Sequence, residues 1–301
     1  MTPTLVQHGL QRSGPSGHPV PDGSGSGARA RDWAEIQERM LVPLYEAVYQ
    51  RLDVGPHTRL LALGCGSGLA LLMAATRGAQ VSGVDEDEPR LRLARERLTP
   101  QPDASAASAG SAARLARGGP ERMDAPERGR FNMVTAFHPA GCAGSVEGLV
   151  SSLQTATALA ERGSPVVLGG WGPFERCATA GVLRVAQRLA DPSVSLDRTA
   201  SPGSPGAGSW RPSGRDDLEE LAGRAGLRPD GSGRVACPFG YADMPSAMRG
   251  LLSTGMFDAA LEVADPAQVE KELSEALHPY QRADGTVWMP NVFRYLIART
   301  R

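Results

Sequence analysis

Leu60-Leu61-Ala62-Leu63-Gly64-Cys65-Gly66-Ser67-Gly68 decides how this chain is read. An apolar run meets three alternate glycines. A helix-compatible stretch follows, and a second apolar run ends in Asp85. That order outlines a nucleotide-type cofactor loop on an open α/β sheet. Two such loops compete. A dinucleotide site wants Gly-x-Gly-x-x-Gly, where the last glycine lets helix and strand pack closely; here that position is Leu69. The glycines fall instead as Gly64-x-Gly66-x-Gly68, a tight turn against which a bulky group can lie. Asp85 ends the second strand, where a carboxylate can accept two ribose hydroxyls. A structural turn without ligand is the bland alternative.

Outward from the loop, Arg59 to Leu63 reads as a buried strand, Leu69 to Arg77 as a helix, Gln80 to Val84 as a strand and Pro89 to Leu98 as a helix. Strand–loop–helix–strand is half of a doubly wound fold. Upstream, Trp33, Ile36, Met40, Leu44, Tyr45, Val48 and Leu52 recur at helical spacing behind a candidate N-cap, Asp32; Pro43 should bend or split this helix. Residues 1–30 are rich in Gly, Ser and Pro and read as a disordered tail. Downstream, a weakly marked third strand is expected between residues 111 and 128. Phe131 to Phe137 is a fourth strand, Val146 to Ala160 a helix, Pro165 to Leu168 a fifth strand and Glu175 to Leu189 a helix. Residues 191–213 read as a loop, Asp216 to Ala225 as a short helix, and Arg234 to Pro238 as a sixth strand. Helical patterns broken by Gly250, Gly255 and Pro266 suggest a cap, and Val287 to Ala298 a last strand.

The 301 residues suit one large α/β domain or two small ones, and 41% hydrophobic residues suffice for a core. The net charge of −1 argues against nucleic-acid or anionic-membrane partners. Four dispersed cysteines, Cys65, Cys142, Cys177 and Cys237, make no CxxC pair, which fits reduced thiols in a cytoplasmic protein better than disulfides or a metal site. No apolar run reaches the ~18–20 residues of a membrane span.

Arg59-Leu-Leu-Ala-Leu-Gly-Cys-Gly-Ser-Gly68 with Val81-Ser-Gly-Val-Asp85 resembles motif I and the ribose acid of class I S-adenosylmethionine-dependent methyltransferases. Asp32-Trp33-Ala34-Glu35 is similar to the N-terminal helix of their small-molecule members. Val166-Val167-Leu168-Gly169-Gly170-Trp171-Gly172-Pro173-Phe174-Glu175-Arg176-Cys177 resembles their fifth strand and its turn, and Pro290 to Ala298 their last strand. The resemblance implies a Rossmann-like, doubly wound seven-stranded sheet over residues 31–301, with the last strand antiparallel and a helical cap at about 240–283.

By the same resemblance, S-adenosylmethionine is the cofactor, held by Gly64, Cys65, Gly66, Gly68, Asp85, Glu86 and Phe137, without metal. Three positions depart from the family. Ala62 stands where an acid usually helps hold the methionine amine. Gly119-Pro120 stands where Gly-Asp binds the adenine amine, leaving Glu121 as the stand-in. Asn132 replaces an Asp. A lost hydrogen bond to a charged group costs about 1.5–3 kcal/mol, so two losses weaken binding roughly 100-fold or more.

His138 follows the fourth strand at the ligand edge and is the candidate catalytic base; a loop histidine without that role is the bland alternative. Trp171 and Phe174, with Phe239, Tyr241, Met248 and Met256, are candidates for an apolar acceptor wall or for plain core. The expected function is methyl transfer to a small, partly apolar metabolite, as in secondary metabolism, with homodimer formation left open. The rival is a methyltransferase-like protein that binds a ligand or partner without catalysis.

Overall fold

Strand β1 (Arg59–Leu63) is buried on both faces, as an apolar run in a parallel sheet must be. The structure, a computed structural model, describes residues 24–99, 113–124, 129–137, 146–190 and 216–301. Around β1 lie β2 (Gln80–Asp85), β3 (Arg114–Arg117), β4 (Met133–Ala136), β5 (Pro165–Trp171), β6 (Arg228–Ala236) and β9 (Val292–Arg299). The sheet order is β3-β2-β1-β4-β5-β9-β6. β9 runs antiparallel to both β5 and β6, and the remaining pairs are parallel. This is the expected seven-stranded Rossmann-like sheet with its last strand antiparallel.

Alternation along β1 divides the core. Leu60 and Ala62 face a layer built with α2 (Val42–Arg51), α3 (Leu69–Ala75), α4 (Glu88–Leu98) and α6 (Thr179–Ala190). Leu61 and Leu63 face a layer built with α5 (Val146–Leu159) and α7 (Asp217–Arg224). Between β7 (Phe239–Tyr241) and β8 (Val287–Met289), which pair as a small ribbon, come α8 (Met244–Leu252), α9 (Asp258–Val263) and α10 (Pro266–Leu277).

Three local readings are corrected, and the expected split of the N-terminal amphipathic helix is located. Residues 24–30, expected in the tail, belong to helix α1 (Ser24–Asp32), which buries Ala30 and pairs Arg29 with Asp258; tertiary contact overrides a poor local propensity. The long amphipathic helix is cut into a π-helical turn (Trp33–Gln37), a 3-10 turn (Glu38–Leu41) and α2, whose first turn takes Pro43 without losing a hydrogen bond. β6 begins at Arg228, well before the expected Arg234, because its polar first half is an exposed edge paired on one side only. The single last strand is two, β8 and β9. Asn291 separates them: its backbone carbonyl accepts from Cys237 and its side-chain Oδ1 from the amide of Thr179.

Candidate functional site

Gly64, Gly66 and Gly68 all adopt positive φ, at 62°, 57° and 79°. The requirement is sharpest at Gly68. A Cβ there would lie 2.9 Å from that of Ala94 on α4, besides forcing a left-handed backbone on an L side chain. Gly64 faces open space instead, with nothing within 4 Å of its missing Cβ. The loop is pinned from β2: the amide of Cys65 donates to the carbonyl of Val84 (3.0 Å), and that of Gly66 to Oδ2 of Asp85 (2.7 Å). Oδ1 of Asp85 accepts from the amide of Asp87 (2.9 Å). The carboxylate is thereby fixed, and each oxygen keeps a lone pair for a ligand.

These residues open onto a cavity of about 730 Å3 at the carboxyl edge of the sheet, where ligands bind in open α/β folds. Its floor is Leu63, Gly64, Gly66, Val84, Asp85, Glu86 and Ala136. Gly118 to Pro120 form one wall and Gly148, Leu149 and Ser152 of α5 another. Gly25, Ser26 and Arg29 of α1 line it too, as do Thr254, Gly255 and Asp258 from the segment between β7 and β8. Four carboxylates (Asp85, Glu86, Asp87 and Asp258) outnumber the guanidiniums of Arg29 and Arg90, a balance that favours a cationic ligand. Arg90 is itself engaged: it lies over the Trp33 ring (4.4 Å), donates to the carbonyl of Ser253 (2.7 Å) and sits 3.4 Å from Asp87.

Of the expected cofactor residues, Gly64, Gly66, Asp85 and Glu86 line the cavity. The other four do not. Cys65 is buried with its side chain against Gly83, and burial, helped by the charges of Asp85 and Glu38, pushes its thiol pKa well up, so it stays an inert thiol. Gly68 packs on α4. Phe137 turns into the core, 4.9 Å from Tyr45 and 6.0 Å from Tyr49 by ring centroids. Glu121 folds back on its own turn and accepts from the amide of Gly119 (3.1 Å). His138 lies outside the described residues.

The apolar acceptor wall is also corrected. Trp171, Phe239 and Tyr241 are buried with Phe293, the Trp171–Phe293 rings 4.5 Å apart and Trp171–Phe239 5.8 Å. They fill the core; Phe174, Met248 and Met256 remain half-buried at its margin. Asn132 has a structural task. Its Oδ1 accepts from the amide of Arg59 and its Nδ2 donates to the carbonyl of His57, both at 2.7 Å, and a carboxylate cannot do the second.

Beneath the loop is a feature that periodicity concealed. Glu38 is fully buried. Its carboxylate accepts from the Ser67 hydroxyl and from Arg97 (2.8 Å), while Arg97 also donates to the carbonyl of Ser67 (2.9 Å). Burial raises the Glu38 pKa, against the lowering by Ser67 and Arg97. The network locks the segment after α1 onto the glycine loop.

With this geometry in place the likeness to known structures has content. YcgJ of Bacillus subtilis superposes with a TM-score of 0.52 at 14% identity, covering 85% of this chain and 97% of that one. A protein of Bacillus halodurans, provisionally named a methyltransferase, gives 0.51 at 14% identity with the same coverages of 85% and 97%. The fold is that of the class I methyltransferases. No family model matches the chain, and no curated protein sequence does. Among the described residues of this methyltransferase fold, no helix is long and apolar enough to cross a membrane.

Proposed function

We propose that the chain binds S-adenosylmethionine in this cavity and transfers its methyl group to a small, partly apolar acceptor. One observation carries the reading: the glycine loop and the Asp85 carboxylate, distant in sequence, meet on the floor of a single cavity at the ligand edge of a methyltransferase fold. The residues present fit the nucleoside. Asp85, held by two backbone amides, has lone pairs for a ribose diol, and Gly64 leaves room where any side chain would intrude. Leu63, Val84, Ala136 and Leu149 offer apolar surface to a base, and the four carboxylates favour a sulfonium. S-adenosylmethionine, when bound, supplies an activated methyl group for in-line displacement. The chain's own part is to orient and to exclude water; a basic side chain is needed only if the acceptor must lose a proton.

A second reading has its own observation. Ala62 and Pro120 carry no acid, and Glu121, the one nearby replacement, is turned onto Gly119. A cofactor site lacking both acids suits a protein that binds a nucleoside ligand without turnover. Calorimetric titration with S-adenosylmethionine and S-adenosylhomocysteine separates the readings. Micromolar affinity and methyl transfer to an acceptor in a metabolite panel are expected for the enzyme. Binding without turnover supports the second reading, and no binding at millimolar ligand sinks the enzyme.

A further inference from the structure

We propose that α1 is a hinged strap over the cavity, clasped to the cap by Arg29 and Asp258, and that its opening admits and releases the ligand. The helix reads Ser-Gly-Ser-Gly-Ala-Arg-Ala-Arg-Asp over Ser24–Asp32. Nine residues, two of them glycine and two serine, do not hold a helix in water by themselves. Contacts hold it: α1 packs on α4 and α8, Ala30 is buried, and Nη2 of Arg29 donates to Oδ1 of Asp258 at 2.6 Å.

That ion pair joins two elements that both line the cavity. Gly25, Ser26 and Arg29 come from one, and Thr254, Gly255 and Asp258 from the other. The clasp crosses directly above Gly255, whose absent Cβ would sit 3.3 Å from Arg29 Nη2 and 3.5 Å from Asp258 Oδ2. The two side chains are 39% and 44% exposed, so the pair is weak and reversible.

The hinge is equally defined. From Trp33 onward the chain is anchored. The Trp33 ring is buried beneath Arg90, its Nε1 3.1 Å from the Cβ position of Gly66. Arg97 donates to the carbonyl of Ala34, and Glu38 holds Ser67. The anchor begins with the π-helical turn Trp33–Gln37, which buries Trp33, Ala34 and Gln37, so opening is confined to α1 itself, before Trp33. A marginal helix joined to such a fixed segment opens locally while the sheet stays folded.

The gating role rests on the proposed nucleoside reading of the cavity; the local opening does not, and the test keeps them apart. Hydrogen exchange on the full chain without ligand is expected to show amides of residues 28–32 exchanging far faster than those of β1. Asp258→Ala raises the opening equilibrium about threefold, and the swapped pair Arg29→Asp with Asp258→Arg restores it. Gly27→Ala, whose new Cβ meets nothing within 4 Å, lowers it about fivefold through helix propensity. Exchange at 28–32 as slow as in β1, or unmoved by these variants, overturns the strap. Stopped-flow release of S-adenosylhomocysteine then tests gating: about threefold faster in Asp258→Ala and about fivefold slower in Gly27→Ala. Release unchanged in both variants, with exchange altered, overturns gating. Failure of the ligand to bind overturns the nucleoside reading and the gating built on it, while exchange alone decides the strap.

Discussion

Gly64 at one end of the sheet and Gly172 and Gly233 at the other use glycine in opposite ways. At the β3-β2-β1 end, Gly64 faces empty space, and the surfaces around it are charged. At the β5-β9-β6 end, the Cβ missing from Gly233 would fall 2.4 Å from the ring of Tyr295, and that missing from Gly172 would fall 2.5 Å from the carbonyl oxygen of Val292. There the absent side chain is filled by a neighbour; at Gly64 it is left as room, while Gly66 and Gly68 beside it are closely packed. One end is hollow and polar, the other solid and aromatic. Binding and stability should therefore separate by region, and a substitution that moves both would break the comparison.

The largest effect is expected at the solid end. Phe239 is buried among Trp171, Phe293 and Tyr241. Phe239→Ala should cost about 4 kcal/mol, the sum of lost transfer free energy and the cavity left behind. Urea denaturation measures it, and ligand affinity in the folded fraction should change less than twofold. A parallel loss of affinity would mean that the aromatic cluster shapes the cavity after all.

The hollow end should answer in the other quantity. Asp85→Ala removes a carboxylate held by the amides of Gly66 and Asp87 and aimed at the cavity. At about 1.5–3 kcal/mol per hydrogen bond to a charged group, loss of the ribose contacts should weaken S-adenosylmethionine roughly 100-fold, as calorimetry would read. Pro120→Asp runs the opposite way. Pro120 lines the cavity and donates no hydrogen bond through its nitrogen, so an acid there should tighten binding about tenfold by meeting the base's amino group. No gain from Pro120→Asp would mean that the base does not lie against this wall.

The same contrast explains what the residues announced in advance. β1, its loop and β2 were legible because buried parallel strands are continuous apolar runs and the turn between them demands glycine at fixed steps. Gly64, Gly66 and Asp85 followed from that local pattern, and Glu86 from the family resemblance. β6 hid its first half because an edge strand of Arg, Asp, Gly and Ser carries no apolar signal. Arg29 and Asp258 were out of reach because they are 229 residues apart and neither belongs to a periodic face. Cys65 and Phe137 sat at plausible positions, yet their side chains point to the buried side of the backbone, which spacing in an irregular loop does not reveal. Trp171, Phe239 and Tyr241 were legible as a group but not as core or pocket, since aromatic composition is the same for both.

Glu38 joins the two halves of the argument, because it is solid packing placed directly under the hollow loop. Its carboxyl is raised above the ordinary value of 4.5, mainly by burial, with Ser67 and Arg97 opposing. Between the ordinary value and the raised one, the folded chain therefore binds the proton that the unfolded chain releases. The contribution of Glu38 to stability is present in full below about pH 4.5 and declines as pH rises through the folded pKa. Glu38→Gln keeps an oxygen acceptor for Ser67 and Arg97 but cannot titrate in this range. The stability of the unsubstituted chain minus that of Glu38→Gln should fall as pH rises above about 4.5, a difference that cancels the other titrating groups. Urea melts across that range measure it. A rise instead of a fall would show that Arg97 and Ser67 outweigh burial, and that the loop is held by a net favourable charge pair rather than by packing that tolerates one.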